Sequence, residues 1–115
     1  GENAVTATIP APEKNFNARV VDRQDVQTSL IRFSQDGKVF ITGRRGDATV
    51  TIPFDKIAQI QFSGQEGKEL QAKILLKDQK GIEVTLDKQL KFYGQADFGT
   101  FQIEAKGLKS ISFQP

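Results

Sequence analysis

The residues best placed to do chemistry are two arginines held between glycines. Gly43-Arg44-Arg45-Gly46 sets two guanidinium groups in a loop, where forked N–H contacts can grip a phosphate or a carboxylate. The competing reading is a solvated hairpin tip. Further along stand Phe92-Tyr93 and Phe98 around a glycine-containing stretch, Gly94 to Gly99. Consecutive residues of a strand face opposite ways, so either Phe92 or Tyr93 must point outward. A Tyr93/Phe98 pair would make a platform for a base, a sugar or a peptide side chain; packing of Tyr93 against the other copy of a duplicated fold is the alternative. Carboxylates at Asp22 and Asp25, Glu66 and Glu69, and Asp97 raise the question of a glycosidase pair, which needs two carboxyl groups about 5–10 Å apart. All of them fall in expected turns, where Asp and Glu serve local hydrogen bonding. The candidate ligand-binding residues are therefore Arg44, Arg45, Tyr93 and Phe98, with no catalytic residue, no metal ligand and no cofactor expected.

Composition narrows the chemistry further. The chain contains no cysteine and no histidine, which excludes disulfides, thiolate nucleophiles, imidazole bases and His- or Cys-ligated metals. Sixteen basic and 14 acidic residues give a net charge of +2. Both signs are scattered, without the basic stripe of a dedicated nucleic-acid binder. At 37% hydrophobic and 26% charged residues the composition is that of a folded globular domain, and no apolar run approaches the roughly 18 residues of a membrane helix.

The elements that must position these residues are strands. Apolar and polar residues alternate with period two and turn chemistry interrupts them every several residues. Laying the segment that ends at Phe62 over the one that ends at Phe113, a shift of 113 − 62 = 51, superposes Val39, Gly43, Thr49, Val50, Ile52, Ile57, Ile60 and Phe62 on Leu90, Gly94, Thr100, Phe101, Ile103, Leu108, Ile111 and Phe113. Upstream, Phe16, Ala18 and Val20 match Leu70, Ala72 and Ile74 at a shift of 54. Each copy reads as about five short strands. The expected inward residues are Phe16/Ala18/Val20, Ile31/Phe33, Val39/Ile41, Val50/Ile52 and Ile60/Phe62 in the first. In the second they are Leu70/Ala72/Ile74/Leu76, Ile82/Val84/Leu86, Leu90/Phe92, Phe101/Ile103 and Ile111/Phe113. Asp36-Gly37 supplies the positive φ angles that a tight type I′ hairpin turn needs and predicts that turn there. Lys77–Gly81 and Asp87-Lys88 read as the turns of the second copy.

Each copy ends on strand, one tight turn, strand: Ile52-Pro53-Phe54-Asp55-Lys56-Ile57 through Phe62, and Ile103-Glu104-Ala105-Lys106-Gly107-Leu108 through Phe113. Pro53 cannot donate a ladder hydrogen bond and belongs where the first strand stops. This pattern resembles the last two strands of small SH3-like and Sm-like barrels, in which a single 3₁₀ turn separates two strands. The resemblance implies an all-β fold of internally duplicated antiparallel strands, arranged as two small SH3-like barrels or as one shared sandwich or barrel. Copies of under about 50 residues would be marginal alone, so a shared core is expected. The domain organisation is an extended, Pro-containing arm over residues 1–15, a first repeat over 16–62, a connector over 63–69 and a second repeat over 70–115. Alternatively, Ala4 to Ile9 adds an edge strand.

Three functions compete. A non-enzymatic interaction module of an exported or envelope bacterial protein, gripping another protein or a surface polymer by loops or strand edges, comes first. The polar, Pro-containing start without an initiator methionine supports it, being of the kind that follows a removed signal peptide, with a domain cut from a longer protein as the other reading; a periplasmic or secreted location is expected, with a cytoplasmic one the alternative. Single-stranded nucleic-acid binding, as the Sm-like resemblance suggests, comes second and predicts steep salt dependence through Arg44 and Arg45. Glycoside hydrolysis by paired carboxylates comes third. Arg45-Gly46-Asp47 is also similar to the tripeptide by which integrin ligands bind their receptors, a three-residue match that arises often by chance.

Overall fold

The structure, a computed structural model, describes residues 9–66 and 69–115, with residues 64–66 described as backbone only. The edge strand expected over Ala4 to Ile9 and the Gly67-Lys68 part of the connector lie largely outside the described residues. The described chain folds into ten strands: β1 (Ala18–Asp22), β2 (Gln27–Gln35), β3 (Phe40–Arg45), β4 (Ala48–Pro53), β5 (Ile57–Glu66), β6 (Glu69–Leu76), β7 (Gly81–Asp87), β8 (Lys91–Ala96), β9 (Gly99–Glu104) and β10 (Leu108–Phe113). Single 3₁₀ turns at Phe54–Lys56 and Ala105–Gly107 join β4 to β5 and β9 to β10. The first begins directly after Pro53, which ends β4 as its missing N–H requires.

The strands form one curled half-barrel sheet, antiparallel throughout, in the order β4-β3-β7-β6-β5-β10-β1-β2-β8-β9. This order reads the same from either end when β1–β5 and β6–β10 change places. Its midpoint is the pair Ile60↔Ile111, flanked by Gln61↔Ser110 and Gln59↔Ser112. On either side of that seam lie five strands, β5-β6-β7-β3-β4 and β10-β1-β2-β8-β9, and each set draws on both ends of the sequence. Registers correspond too: Ala18 faces Phe113 and Leu30, while Ala72 faces Phe62 and Val84.

The tight turn expected at Asp36-Gly37 is present. Asp36 (φ 52°) and Gly37 (φ 88°) do form a left-handed two-residue turn, and Gln35 and Lys38 exchange both backbone hydrogen bonds across it, at 2.8 and 2.9 Å. The hairpin stops after that single bridge. Beyond it β2 pairs with β8 and β3 with β7, so the turn carries the chain across the molecule. Asp36-Gly37 fixes the local dihedrals and leaves the partner of each strand to the rest of the chain. The return crossing, β7 to β8, is a turn in which the Asp87 carboxylate accepts the Gln89 N–H at 2.8 Å.

Core residues come from both five-strand sets and make one cluster that includes Ala18, Val20, Phe33, Ile41, Phe54, Ile60, Ile74, Leu86, Phe92 and Ile111. Gly43 and Gly94 are built into it. A Cβ on Gly43 would lie 2.9 Å from Leu86 Cδ2, and one on Gly94 would lie 3.0 Å from Leu30 Cβ. Glycine at these two places lets β3 close on β7 and β8 on β2.

One expectation fails in phase. Ile31 is not inward: it is 49% exposed, and Leu30 takes the core position at 2%. Phe33 is nevertheless fully buried, because a bulge between Ile31 and Ser34 inserts one residue and resets the alternation. Its bent residue is Arg32, with φ 54°, a conformation that costs a non-glycine residue about 1 kcal/mol. The chain before β1 holds the bulge in place. Arg32 N–H donates to Asn15 Oδ1 at 2.8 Å, its Nη2 donates to the Pro12 carbonyl at 3.0 Å, and Phe33 N–H donates to the Phe16 carbonyl at 3.0 Å. Pro12 is buried. Asn15→Ala is therefore expected to cost about 1 kcal/mol, read as a fall of about 4 °C in Tm, while Asn15→Asp, which keeps an acceptor oxygen, retains most of it.

Candidate functional site

Gly43, Arg44 and Arg45 belong to β3, and the loop proper is Gly46-Asp47. The left-handed φ of Gly46, 62°, closes this hairpin. Arg44 and Arg45 are adjacent in a strand and so face opposite sides of the sheet. Arg44 pairs with Glu69, both side chains being about half exposed; an ion pair of that kind contributes at most about 1 kcal/mol. Arg45, Gly46 and Asp47 are exposed, and Arg45 has no ion-pair partner among the described residues. The two guanidinium groups do not converge on a common ligand.

Tyr93 and Phe98 are likewise set apart. Tyr93 is only 9% exposed and stands opposite Ser34 of β2 and Gln102 of β9. It lines a recess with Asp36, Asp87, Gln89 and Lys91, where the two crossovers meet. Phe98 occupies the tip of the β8–β9 hairpin, 78% exposed. The hairpin register puts Tyr93 three residues down the strand from the Ala96↔Gly99 pair that closes the turn. No single platform holds both rings.

Three of the candidate carboxylates, Asp22, Asp25 and Glu69, have partners. Asp22 Oδ1 accepts the N–H groups of Gln24 and Val26 at 2.8 and 2.9 Å and so shapes the β1–β2 turn. Asp25 pairs with Lys109, and Glu69 with Arg44. The side chain of Glu66 is outside the described residues. Among the described residues no group of His, Cys, Asp or Glu is arranged to hold a metal ion.

What sequence reasoning missed is a cleft of about 290 Å³ along β1, β2 and the end of β8, which pairs with β2 at Ile31↔Gln95. Arg19, Ser29, Ile31, Gln95, Ala96 and Asp97 line it, and Asp97 immediately precedes the exposed Phe98. The signal was present: Leu30-Ile31 is a pair of adjacent apolar residues, and one of them had to face outward. The positions 54 or 51 residues away form a face of different character. Arg19, Ser29 and Ile31 correspond to Lys73, Glu83 and Thr85, while Gln95 and Phe98 correspond to Arg44 and Asp47. There Lys73 stands directly across from Glu83, and Arg44 is tied to Glu69. That face has a cleft of its own, about 360 Å³, lined by Gln61, Gln71, Lys73 and Glu83, so the two differ in chemistry: corresponding positions carry charges of both signs on one and the exposed Ile31 and Phe98 on the other.

No curated protein and no solved structure matches this chain. A family model described as "Uncharacterised protein" matches residues 12–115, and the chain belongs to that family.

Proposed function

We propose that this chain is a non-catalytic binding module of an exported or envelope bacterial protein, internally duplicated, that grips another protein or a surface polymer at the Ile31/Phe98 end. The observation that carries the reading is the contrast between corresponding faces, one ionic and one with Ile31 and Phe98 exposed to 49% and 78%. Exposing a large aromatic ring gains a monomer nothing in stability, whereas a ring at a hairpin tip beside a cleft is an anchor a partner can bury. The duplication is supported by the matching registers and the two 3₁₀ turns. The absence of histidine and cysteine supports the non-catalytic reading. Among the described residues no helix is long and apolar enough to cross a membrane. With Arg44 tied to Glu69 and Arg45 turned the other way, the nucleic-acid reading ranks below this one.

The test is co-sedimentation of the purified protein with the cell-envelope fraction of its source. Phe98→Ser combined with Ile31→Thr is expected to lower retention at least tenfold, equivalent to about 1.4 kcal/mol, with Tm unchanged. Equal retention of variant and wild type would defeat the proposal.

A further inference from the structure

β4 and β9 end the sheet. Among the described residues β4 pairs only with β3 and β9 only with β8, so the outer edge of each presents unpaired backbone N–H and C=O groups. Natural edges of this kind are usually blunted with charges, bulges or proline. Here β4 reads Ala48-Thr49-Val50-Thr51-Ile52-Pro53 and β9 reads Gly99-Thr100-Phe101-Gln102-Ile103-Glu104. The only proline and the only charge fall at the last position of each strand, and both hairpins run in unbroken register over six pairs.

The core is also left open at these two places. Ile60, Ile74 and Ile111, in the middle of the sheet, are fully buried. Val50 and Ile52 on β4, and Phe101 and Ile103 on β9, face the same core yet are only partly covered. What would cover either edge is a six-residue strand with apolar residues inward and uncharged polar residues outward. Each edge has the form the other needs. Every strand is antiparallel to its neighbour across ten strands, so β4 and β9 run in opposite directions and can join as an ordinary antiparallel pair between two molecules in the same orientation. The low net charge of +2 opposes such contact only weakly.

We propose that the occupant of these edges is a second copy of this chain, β9 of one molecule pairing with β4 of the next. The pairing is head-to-tail: it leaves a free β4 at one end and a free β9 at the other, and so builds chains or closed rings. It needs neither Phe98 nor Ile31, and Phe98→Ser is expected to leave it intact.

Sedimentation equilibrium tests it. Wild-type mass is expected to rise above the 12.7 kDa of one chain as concentration goes from micromolar to millimolar. Val50→Lys, which puts a charge on the inward face of the β4 edge, and Phe101→Lys, which does the same on β9, should each remain monomeric. Mixed together, these two should form a dimer and nothing larger, since one intact β9 meets one intact β4. Should circular dichroism show either variant to be unfolded, Thr51→Lys with Gln102→Lys, at exposed positions of the two edges, replaces them and should dissociate the assembly at low salt. A wild type that stays monomeric throughout, or association undiminished in the folded variants, would overturn the proposal.

Discussion

Residues 9–66 and residues 69–115, produced as two separate chains, are each expected to show no cooperative unfolding transition as a monomer, and to regain one when mixed. The cut removes β8 from β2, β7 from β3, β10 from β1, and both β6 and β10 from β5. Neither fragment then holds a complete five-strand set, because β5-β6-β7-β3-β4 and β10-β1-β2-β8-β9 each mix strands from both fragments. The loss is the whole stability of the fold, of order 5–15 kcal/mol for a domain. Circular dichroism of each fragment and of the equimolar mixture reads it directly. The test is sharp because the type I′ geometry at Asp36-Gly37 is compatible with an extended β2–β3 hairpin. A first fragment that closed on itself through that hairpin would appear as a folded monomer, and that result would show that the crossing is not built into the fold.

What the sequence made legible follows from which quantities it encodes locally. Period-two alternation located the strands, and the single turns after Pro53 and before Leu108 fell where the missing proline N–H and the repeated spacing put them. Asp36-Gly37 took the dihedrals its residue types prefer. Strand partners were not legible, because alternation states which face of a strand is apolar and is silent on the strand beside it. The same limit explains Ile31. A strict alternation counted back from Phe33 made it inward, but the bulge at Arg32 is held by Asn15, Pro12 and Phe16 from a distant segment, and nothing local to Arg32 announces it. Among the candidate residues, Phe98 was legible as an outward ring at a glycine-rich turn. The arginines were misjudged as a loop pair because the strand runs two residues further than the glycine spacing suggested, and adjacency within a strand separates side chains that adjacency within a loop would gather.

Phe33→Ala is expected to destabilise the protein by about 4 kcal/mol, the usual range for emptying a buried aromatic site being 3–5 kcal/mol. Phe33 is fully buried. Its ring stacks on Phe92 at 5.6 Å with 6° between planes, lies 5.6 Å from Phe54 and meets Phe113 edge-on at 5.7 Å. These four rings come from β2, β8, the first 3₁₀ turn and β10, so one side chain ties both crossing strands to the seam of the sheet. Phe54 and Phe113 pack on each other at 4.8 Å and cannot both move into the space Phe33 would vacate without separating, which keeps the cavity open and the cost high. Thermal melts should place the variant on the order of 15 °C below wild type. Phe98→Ala, removing a ring of equal size from the surface, should change stability by no more than about 0.5 kcal/mol. The two phenylalanines thus separate what holds the fold from what it offers a partner: a stability loss at Phe98 comparable to that at Phe33 would mean that its ring packs on this chain and would leave the proposed site without its anchor.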